Sequence, residues 1–415
     1  MFELIRANKI KSWLLVLGLT GVLVALGYVI GEAFAPGAGV GGVAIAVVIA
    51  AAMNLFAYFA GPSAVLAMSG AREIQKRDHP QLFNVVEEMA IAAGLPMPRI
   101  YIIDDTAMNA FATGRDPQHA AVAITKGLLM KLNRDELQGV MAHELSHVKN
   151  RDMLYMTLAA ILVGAVALLA DMFLRGLWYS GAGVRRRRSS RDQGGAQAIF
   201  AILAILAAIL APIVARLLYL ACSRRREYLA DASAAALTRY PEGLASALEK
   251  ISGDREVLEA ANRATAHLYI VHPVRSFEER ASALMSTHPP VEERIAILRS
   301  MGHSAGMADY QAAWQKFHKG EKLASAAVFS GAPKAAPVRP AAATPRAQES
   351  KEERLRRAHE AMDMFRRLGG FLFITCGCGA SLKIPPGFSR PQVNCPRCGA
   401  PHDLAEAKQS GPAIQ

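Results

Sequence analysis

Residues 141–152 read MAHELSHVKNRD and contain His143, Glu144 and His147 in the pattern H-E-x-x-H. On an α-helix, positions i and i+4 project from the same face, so the two histidines can bind one metal ion together. Glu144 then lies beside the metal's open coordination position, where a general base for a bound water is needed. The alternative is a surface helix that carries two histidines by chance, so a metal site needs a third ligand elsewhere in the chain.

The sequence before the motif predicts that this stretch is helical. Asn133, followed three residues later by Glu136, is an N-terminal capping signal. Apolar residues then recur at helical spacing, which places the motif on an amphipathic helix. These residues are Leu137, Val140, Met141, Leu145 and Val148.

Composition indicates a membrane protein. The chain has 415 residues, of which 52% are hydrophobic, and its mean hydropathy of +0.19 is high for a soluble protein of this length. The net charge of +12 would also suit a nucleic-acid binder. Much of that charge, however, lies in Lys/Arg clusters beside hydrophobic runs, where basic residues set membrane orientation.

Two apolar runs near the N-terminus, 13–30 and 40–60, predict a transmembrane hairpin within residues 1–70. Each run can cross a hydrocarbon core of about 30 Å. A cleaved signal peptide is the alternative, because Ala33-Phe-Ala35 resembles a cleavage site, but the first run exceeds the roughly 7–15 residues of a signal h-region. Basic residues flank the hairpin only on its outer sides, which predicts that both ends lie in the cytoplasm. They are Arg6, Lys9, Lys11, Arg72, Lys76 and Arg77.

A second apolar pair, 154–170 and 198–215, predicts another hairpin within residues 153–222. If both runs span, the loop between them faces outward, although it carries five arginines between residues 185 and 191. That distribution breaks the positive-inside rule. Either the hairpin spans against the rule, or it enters the membrane and packs on other helices without crossing.

The intervening sequence predicts soluble structure in two parts, 71–152 and 223–322. The first part has a helix at 79–93, ended by Gly94, and strands at 99–103, 109–114 and 119–125. The second part has helices at 227–238 and 242–251. Residues 323–370 then comprise an Ala/Pro-rich stretch, 324–350, predicted to be a flexible linker, and a charged helix at 351–368.

Glu227 is the best downstream candidate for the third ligand, since a catalytic zinc usually takes three protein ligands and a water. Asp231 follows one helical turn later, so it can orient a ligand histidine as outer-shell carboxylates do. The alternative for Glu227 is a solvated residue that neutralises the arginines before it.

Residues 371–405 contain Cys376-Gly-Cys378 and Cys395-Pro-Arg-Cys398, a pattern typical of a four-thiolate zinc site closed by two knuckles. Metal would stabilise such a Pro/Gly-rich ribbon, which has little core of its own. Two redox-active cysteine pairs are the alternative, but no βαβ context surrounds them. The ribbon could recruit a substrate or a protein partner; nucleic acid is the less favoured ligand.

In its first 300 or so residues the chain resembles the HtpX family of membrane-bound zinc endopeptidases, relatives of the CAAX prenyl endopeptidases. The matching pieces occur in family order between an N-terminal hairpin and the end of the second soluble part. They are Asn109-Ala-Phe-Ala-Thr-Gly114, His143-Glu-Leu-Ser-His147 with Asn150 and Asp152, Arg226-Glu-Tyr-Leu-Ala-Asp231, Ser286-Thr-His-Pro-Pro290 and Glu293-Arg-Ile295.

The resemblance implies that His143, His147 and Glu227 bind zinc and that Glu144 is the general base. It implies that Asp231 orients one of the histidines and that His288 either stabilises an oxyanion, occupies the open site or only caps a turn. It also implies that an edge strand pairs with the substrate backbone. That strand is Asn109, Ala110, Phe111, Ala112, Thr113 and Gly114.

We therefore expect a mainly α membrane protein with an α+β gluzincin metalloprotease domain, a small sheet and a C-terminal zinc ribbon. The expected activity is zinc-dependent hydrolysis of membrane or misfolded proteins at the cell inner membrane, with the catalytic domain in the cytoplasm. Two alternatives remain at this stage: a non-proteolytic membrane scaffold that uses the ribbon for recruitment, and a CAAX-type prenyl protease. Four apolar segments are fewer than the CAAX branch has.

Overall fold

Four long apolar helices form a bundle in the computed structural model, which describes residues 2–180, 194–254, 256, 258, 269–270, 289–302, 304–323, 337–340 and 351–404. They are α1 (Phe2–Phe34), α2 (Gly39–Phe59), α7 (Asp152–Ser180) and α8 (Gly194–Thr238). Each contains a stretch long and apolar enough to cross a membrane, beginning at Ser12, Gly39, Asp152 and Ile199. Both predicted apolar pairs therefore lie on bundle helices, whereas the arginine-rich loop at 185–191 lies outside the described residues.

The bundle core is built by the faces that the four helices turn towards one another. Leu19, Leu23 and Leu26 of α1 are almost fully buried there, as are Leu162 and Val166 of α7. Large apolar side chains on the opposite faces, particularly of α2 and α8, are exposed. Such an apolar exterior suits lipid and not water.

A four-stranded sheet carries the soluble part. Its strands are β1 (Arg72–Glu73), β2 (Arg99–Ile103), β3 (Ala110–Thr113) and β4 (Ala121–Thr125), in the order β1-β2-β4-β3. β2 and β4 are parallel, and β3 pairs antiparallel with β4, with Phe111 opposite Ala123. The predicted strand 99–103 is confirmed residue for residue, and the two others agree to within two residues at their starts. β3, the strand expected to meet substrate, lies at an edge.

Seven helices surround the sheet in the described part of this region. They are α3 (Gly61–Met68), α4 (Pro80–Ala93), α5 (Lys126–Lys131), α6 (Arg134–Lys149), α9 (Pro241–Gly253), α10 (Val291–Arg299) and α11 (Met307–Phe317). The α4 boundaries follow from local chemistry, because His79 Nδ1 accepts the Leu82 N–H at 3.1 Å and Gly94 ends the helix at φ 67°.

The H-E-x-x-H helix, α6, begins with the predicted capping box. Asn133 Oδ1 accepts the Glu136 N–H, and Glu136 Oε2 accepts the Asn133 N–H, both at 2.9 Å. Lys250 of α9 reaches the same carboxylate at 2.6 Å. Because Glu136 is 1% exposed, this ion pair fixes the start of α6 inside the protein.

α8 is longer than the sequence suggested. The apolar run and the predicted helix at 227–238 form one helix of 45 residues, which contains Pro212. Arginine is a good helix former, so the three arginines at 224–226 do not interrupt it. The boundary placed at residue 223 thus lies inside a continuous helix that leads from the membrane segment directly into the candidate metal ligands.

The C-terminal region packs on the soluble part. Of the predicted flexible linker, the structure describes residues 337–340, where Arg339 Nη2 donates to Asp135 Oδ1 at 2.7 Å and to Gln138 Oε1 at 2.6 Å on α6. The flexibility of this stretch stays a prediction. The predicted charged helix is α12 (Lys351–Leu368), which contacts α5. The ribbon follows as two hairpins, β5 (Leu372–Thr375) with β6 (Ser381–Ile384) and β7 (Gln392–Asn394) with β8 (Pro401–Asp403).

Candidate active site

Three side chains converge where α6 crosses α8. His143 Nε2 lies 3.3 Å from His147 Nε2 and 3.6 Å from Glu227 Oε2, and His147 Nε2 lies 3.5 Å from Glu227 Oε1. Ligand atoms at about 2.0–2.2 Å from a tetrahedral zinc would be separated by about 3.3–3.6 Å. The spacing of these three groups therefore fits a zinc ion, and the donor set is one that zinc prefers.

His143 is held from behind by Asp231. Its Nδ1 lies 2.9 Å from Asp231 Oδ1, which turns Nε2 towards the other two ligand groups. Burial opposes protonation of the ring, but the Asp231 and Glu227 carboxylates outweigh it and raise the pKa of His143 to about 9. The sequence left open which histidine Asp231 faces, and the structure places it against His143.

Asp231 is in turn held by Arg294 of α10, whose side chain is fully buried. Arg294 Nε and Nη2 donate to the two Asp231 oxygens at 2.8 and 2.7 Å. Its Nη1 lies 3.4 Å from Glu227 Oε2 and donates to the Ile270 carbonyl at 3.2 Å. One guanidinium thus contacts both Glu227 and Asp231, the carboxylate behind His143.

His147 has a different carboxylate behind it. Its Nδ1 lies 3.5 Å from Asp152 Oδ2, and Arg226 Nη1 donates to Asp152 Oδ1 at 3.1 Å. Arg226 Nη2 also donates to Ser12 Oγ on α1. Asp152, Arg226 and Ser12 are each at most 4% exposed, so this chain of contacts is buried throughout.

Glu144 is buried beside the three-residue cluster, with 2% of its surface exposed. Burial raises the pKa of Glu144 above its ordinary value, while the two histidines and the Ala112 N–H of β3 act in the opposite direction. Its Oε1 has no hydrogen-bond partner among the described residues. A buried carboxylate with a free oxygen and a raised pKa is suited to accept a proton.

β3 runs past this cluster with its outer edge partly paired. The Ala110 carbonyl accepts the Ile270 N–H at 3.0 Å, and the Ala110 N–H donates to Asn109 Oδ1 at 3.1 Å. Phe111 packs edge-to-face on Tyr269, with 5.1 Å between the ring centroids. The chain itself therefore occupies the outward backbone groups of Ala110.

Sequence reasoning missed three residues of this site. Asp152, Arg226 and Arg294 all belong to matching motifs, but the sequence assigns none of them a role at the site. The signal was available only for Asp152, a carboxylate five residues after His147. His288, for which the sequence left several roles open, lies outside the described residues.

A second cluster lies in the ribbon. Cys376 and Cys395 each begin a tight turn in which their N–H groups bond the carbonyls of Ala380 and Ala400, at 2.8 Å in both turns. The Sγ atoms of Cys376 and Cys398 are 3.4 Å apart, and those of Cys378 and Cys395 are 3.6 Å apart. Zn–S bonds of about 2.3 Å predict Sγ separations of about 3.8 Å, so the four thiols fit one zinc.

The chain is similar to known metalloproteases and their relatives. The family model of peptidase family M48 matches residues 76–302. The protease HtpX homolog of Dictyoglomus turgidum (strain DSM 6724 / Z-1310) is 48% identical over 308 residues, which cover 74% of this chain and 97% of that protein. The HtpX homolog of Streptococcus pneumoniae (strain Hungary19A-6) is 44% identical over 303 residues, covering 72% and 100%. A crystal structure of S. mikatae Ste24p is similar with a TM-score of 0.40 and 22% identity, covering 72% of this chain and 67% of that one.

These matches lend no support to a non-proteolytic scaffold. The matched residues include the whole H-E-x-x-H helix and Glu227, and the family implies zinc as the metal. The four apolar helices agree with a membrane protein. The chain therefore belongs to peptidase family M48 and is a membrane metalloendopeptidase of the HtpX type.

Proposed function

We propose that His143, His147 and Glu227 bind the catalytic zinc and that Glu144 is the general base for peptide hydrolysis. The observation that carries this assignment is the spacing of the three ligand atoms, which lie within 4.8 Å of one another on two packed helices. Glu144 adjoins this cluster, as a base for the attacking water must.

When bound, zinc lowers the pKa of a coordinated water towards about 7 and polarises the scissile carbonyl. Glu144 accepts a proton from the attacking water and delivers it to the leaving amine. Glu144 is buried beside the cluster and its Oε1 has no hydrogen-bond partner among the described residues, so it is placed to take up that proton and return it. Asp231 and Asp152 hold the two histidine rings so that each directs Nε2 at the same point.

Glu144→Gln tests the general base. The amide has nearly the same shape but cannot take up the proton, so casein cleavage by the purified variant should fall by a factor of about 10² or more. Zinc content should remain that of the wild type, because Glu144 is not assigned as a ligand. Retained cleavage would remove Glu144 from this role, and lost zinc would make the variant uninformative about proton transfer, in which case Glu144→Asp replaces it.

Metal stoichiometry tests both zinc assignments, since we also propose that the four ribbon cysteines bind a structural zinc. The wild-type chain should hold about two zinc ions, and Glu227→Ala and Cys395→Ser about one each. Of these two variants, only Glu227→Ala should abolish peptide cleavage, because it removes a ligand of the catalytic zinc. Full zinc content in either variant would contradict the corresponding ligand assignment.

Substrate chains are proposed to add to β3 as an extra strand, through main-chain hydrogen bonds. Since Ile270 already engages Ala110, the pairing should use the strand from Ala112 to Gly114. Main-chain recognition makes few demands on side chains, which suits a protease for misfolded and membrane-proximal proteins. Such quality control at the cell inner membrane is the biological role that we propose.

The catalytic domain is proposed to face the cytoplasm. The basic residues on the outer sides of the first hairpin support this orientation by the positive-inside rule. A cysteine introduced at Gly37, in the loop between α1 and α2, or at Lys76, in the soluble part, provides the test in spheroplasts, with the labelling of the unsubstituted chain and its five cysteines subtracted. A membrane-impermeant thiol reagent should label Gly37→Cys and not Lys76→Cys; the reverse pattern would place the active site outside.

A further inference from the structure

The carboxylates that contact the two histidines of the site are held by different parts of the molecule. Behind His143, Asp231 is clamped by Arg294, which lies on a helix of the soluble part. Behind His147, Asp152 is clamped by Arg226, whose other terminal nitrogen donates to Ser12. Ser12 begins the membrane-crossing stretch of α1. One ligand is therefore fixed by the soluble body and the other by the membrane bundle.

The contact at Ser12 is made on the buried face of α1, next to a contact between α1 and α7. Ser12 is fully buried, and the neighbouring Trp13 packs edge-to-face on Tyr155 of α7 with 5.9 Å between the ring centroids. Tyr155 lies less than one turn beyond Asp152 on the same helix. The start of the membrane-crossing stretch of α1 thus contacts the first turn of α7, where the carboxylate behind His147 is located.

We propose that Ser12 and Arg226 are positioning residues for His147. The Ser12 hydroxyl accepts a hydrogen bond from Arg226, Arg226 donates to Asp152, and Asp152 orients the His147 ring. The position of the first membrane helix is thereby coupled to the metal site. This inference rests on the proposed function, because it takes His147 to be a zinc ligand.

The physical reason lies in the geometry of the arginine. A guanidinium presents its donors in a rigid fork, so a hydroxyl on one arm restricts the direction of the other. Because Ser12, Asp152 and Arg226 are buried, hydrogen bonds to their charged groups are stronger than such bonds at the surface. Asp152 Oδ2 lies 3.5 Å from His147 Nδ1, which is at the limit of hydrogen-bonding distance. A small shift of Arg226 therefore changes how strongly Asp152 interacts with the His147 ring.

Metal affinity of the full-length protein in detergent micelles tests the proposal. Co²⁺ is titrated in chelator-buffered solution, and the absorption of the Glu227→Ala protein is subtracted so that the cysteine site does not contribute. The variants are Ser12→Ala, Asp152→Asn and the two combined. Thr157→Val is the matched control, since it removes another buried hydroxyl, one that donates to Met153 O within α7.

Asp152→Asn should weaken Co²⁺ binding by about 10- to 100-fold, the usual effect of losing an outer-shell carboxylate. Ser12→Ala should weaken it by about 3- to 10-fold, and Thr157→Val should leave it within about twofold of the wild type. The combined variant should match Asp152→Asn alone, because Ser12 acts only through that carboxylate. If Ser12→Ala acted through a packing defect instead, its loss of Co²⁺ affinity would add to that of Asp152→Asn in the combined variant.

Wild-type affinity in Ser12→Ala, or fully additive losses in the combined variant, would overturn the proposed coupling. His147→Ala separates this result from a failure of the proposed function. If His147→Ala keeps wild-type Co²⁺ affinity, His147 is not a ligand and both ideas fail. If it loses the metal while Ser12→Ala does not, the site assignment stands and only the coupling is wrong. Thermal unfolding of each variant identifies any that fail to fold.

Discussion

Arg294 is a charged residue in the dry centre of the protein, and every donor that the structure assigns to it faces an oxygen of the site. Its two strongest contacts are to Asp231, and its remaining nitrogen lies between Glu227 and the Ile270 carbonyl. A buried arginine is tolerated only when its partners compensate for the lost hydration. The carboxylates of the metal site provide that compensation, so the site and this part of the core depend on each other.

Replacing Arg294 by lysine should damage the metal site while keeping the charge. Lysine cannot make the bidentate contact, so Asp231 loses one of the two hydrogen bonds that it accepts from Arg294, at a cost of about 1–3 kcal/mol in stability. Zinc affinity should fall by about tenfold or more, measured by chelator competition. Arg299→Lys, one turn further along α10, is the control, because its partners Glu242 and Glu249 are at the surface and the pair contributes about 1 kcal/mol or less. Equal effects of the two substitutions would contradict a special role for Arg294.

The sequence predicts some of these residues better than others for a physical reason. His143, Glu144 and His147 belong to one helical turn, so their shared face follows from the period of the helix. Glu227 and Asp231 also share a turn, but which residues they meet depends on how α8 crosses α6. Arg294 and Arg226 contact the site only through the tertiary fold, so the motifs that contain them do not indicate which carboxylates they bind.

At the level of elements, α1 and α2 pack through glycines. A Cβ added to Gly42 would meet the Gly27 carbonyl, and one added to Gly27 would lie 2.8 Å from Gly42 O. Small residues allow membrane helices to approach closely and gain dispersion energy where lipid offers no hydrophobic driving force. Close backbone approach at these glycines therefore contributes to the packing of the hairpin.

Gly42→Ala should weaken the hairpin, whereas Gly41→Ala should not. The first substitution places a methyl group against backbone and costs about 1–3 kcal/mol of overpacking. The second points into open space on the same helix, where alanine is the better helix former, so stability should stay equal or rise slightly. Thermal unfolding of both variants in the same detergent checks this. A Gly42→Ala protein as stable as the wild type would show that the helices can separate without loss.

Elements were predictable where local signals are strong. Caps and Gly94 fix the ends of α4 and the start of α6, and β2 follows from a run of β-branched and aromatic residues. The continuity of α8 was not predictable in the same way. A change from apolar to charged residues at 223 resembles a boundary, but charge does not end a helix, and the same helix can leave the membrane and enter the soluble core.

At the scale of the whole molecule, the C-terminal region is part of the protease body. Met364 of α12 is 1% exposed and belongs to the main core, and the Phe365 ring lies 4.7 Å from Lys126 Nζ at the start of α5. The ribbon is joined to the same helix, since Lys383 Nζ lies 2.6 Å from Asp363 Oδ1. The ribbon therefore has a defined place relative to the sheet, which a free tether would not give it.

Met364→Lys should release α12 from the body. The substitution removes about 1.5–3 kcal/mol of apolar burial and would force a charge into the core, so the helix should undock while the rest of the fold persists. Amide hydrogen exchange should then rise in α12 and in Lys126–Lys131, which lose their cover, but not in α9. Leu355→Lys is the matched control, because Leu355 on the same helix is 49% exposed and its replacement should leave exchange unchanged. The ribbon should keep its zinc in both variants, since no cysteine is touched. Unchanged protection of α5 in Met364→Lys would show that α5 does not depend on cover from α12.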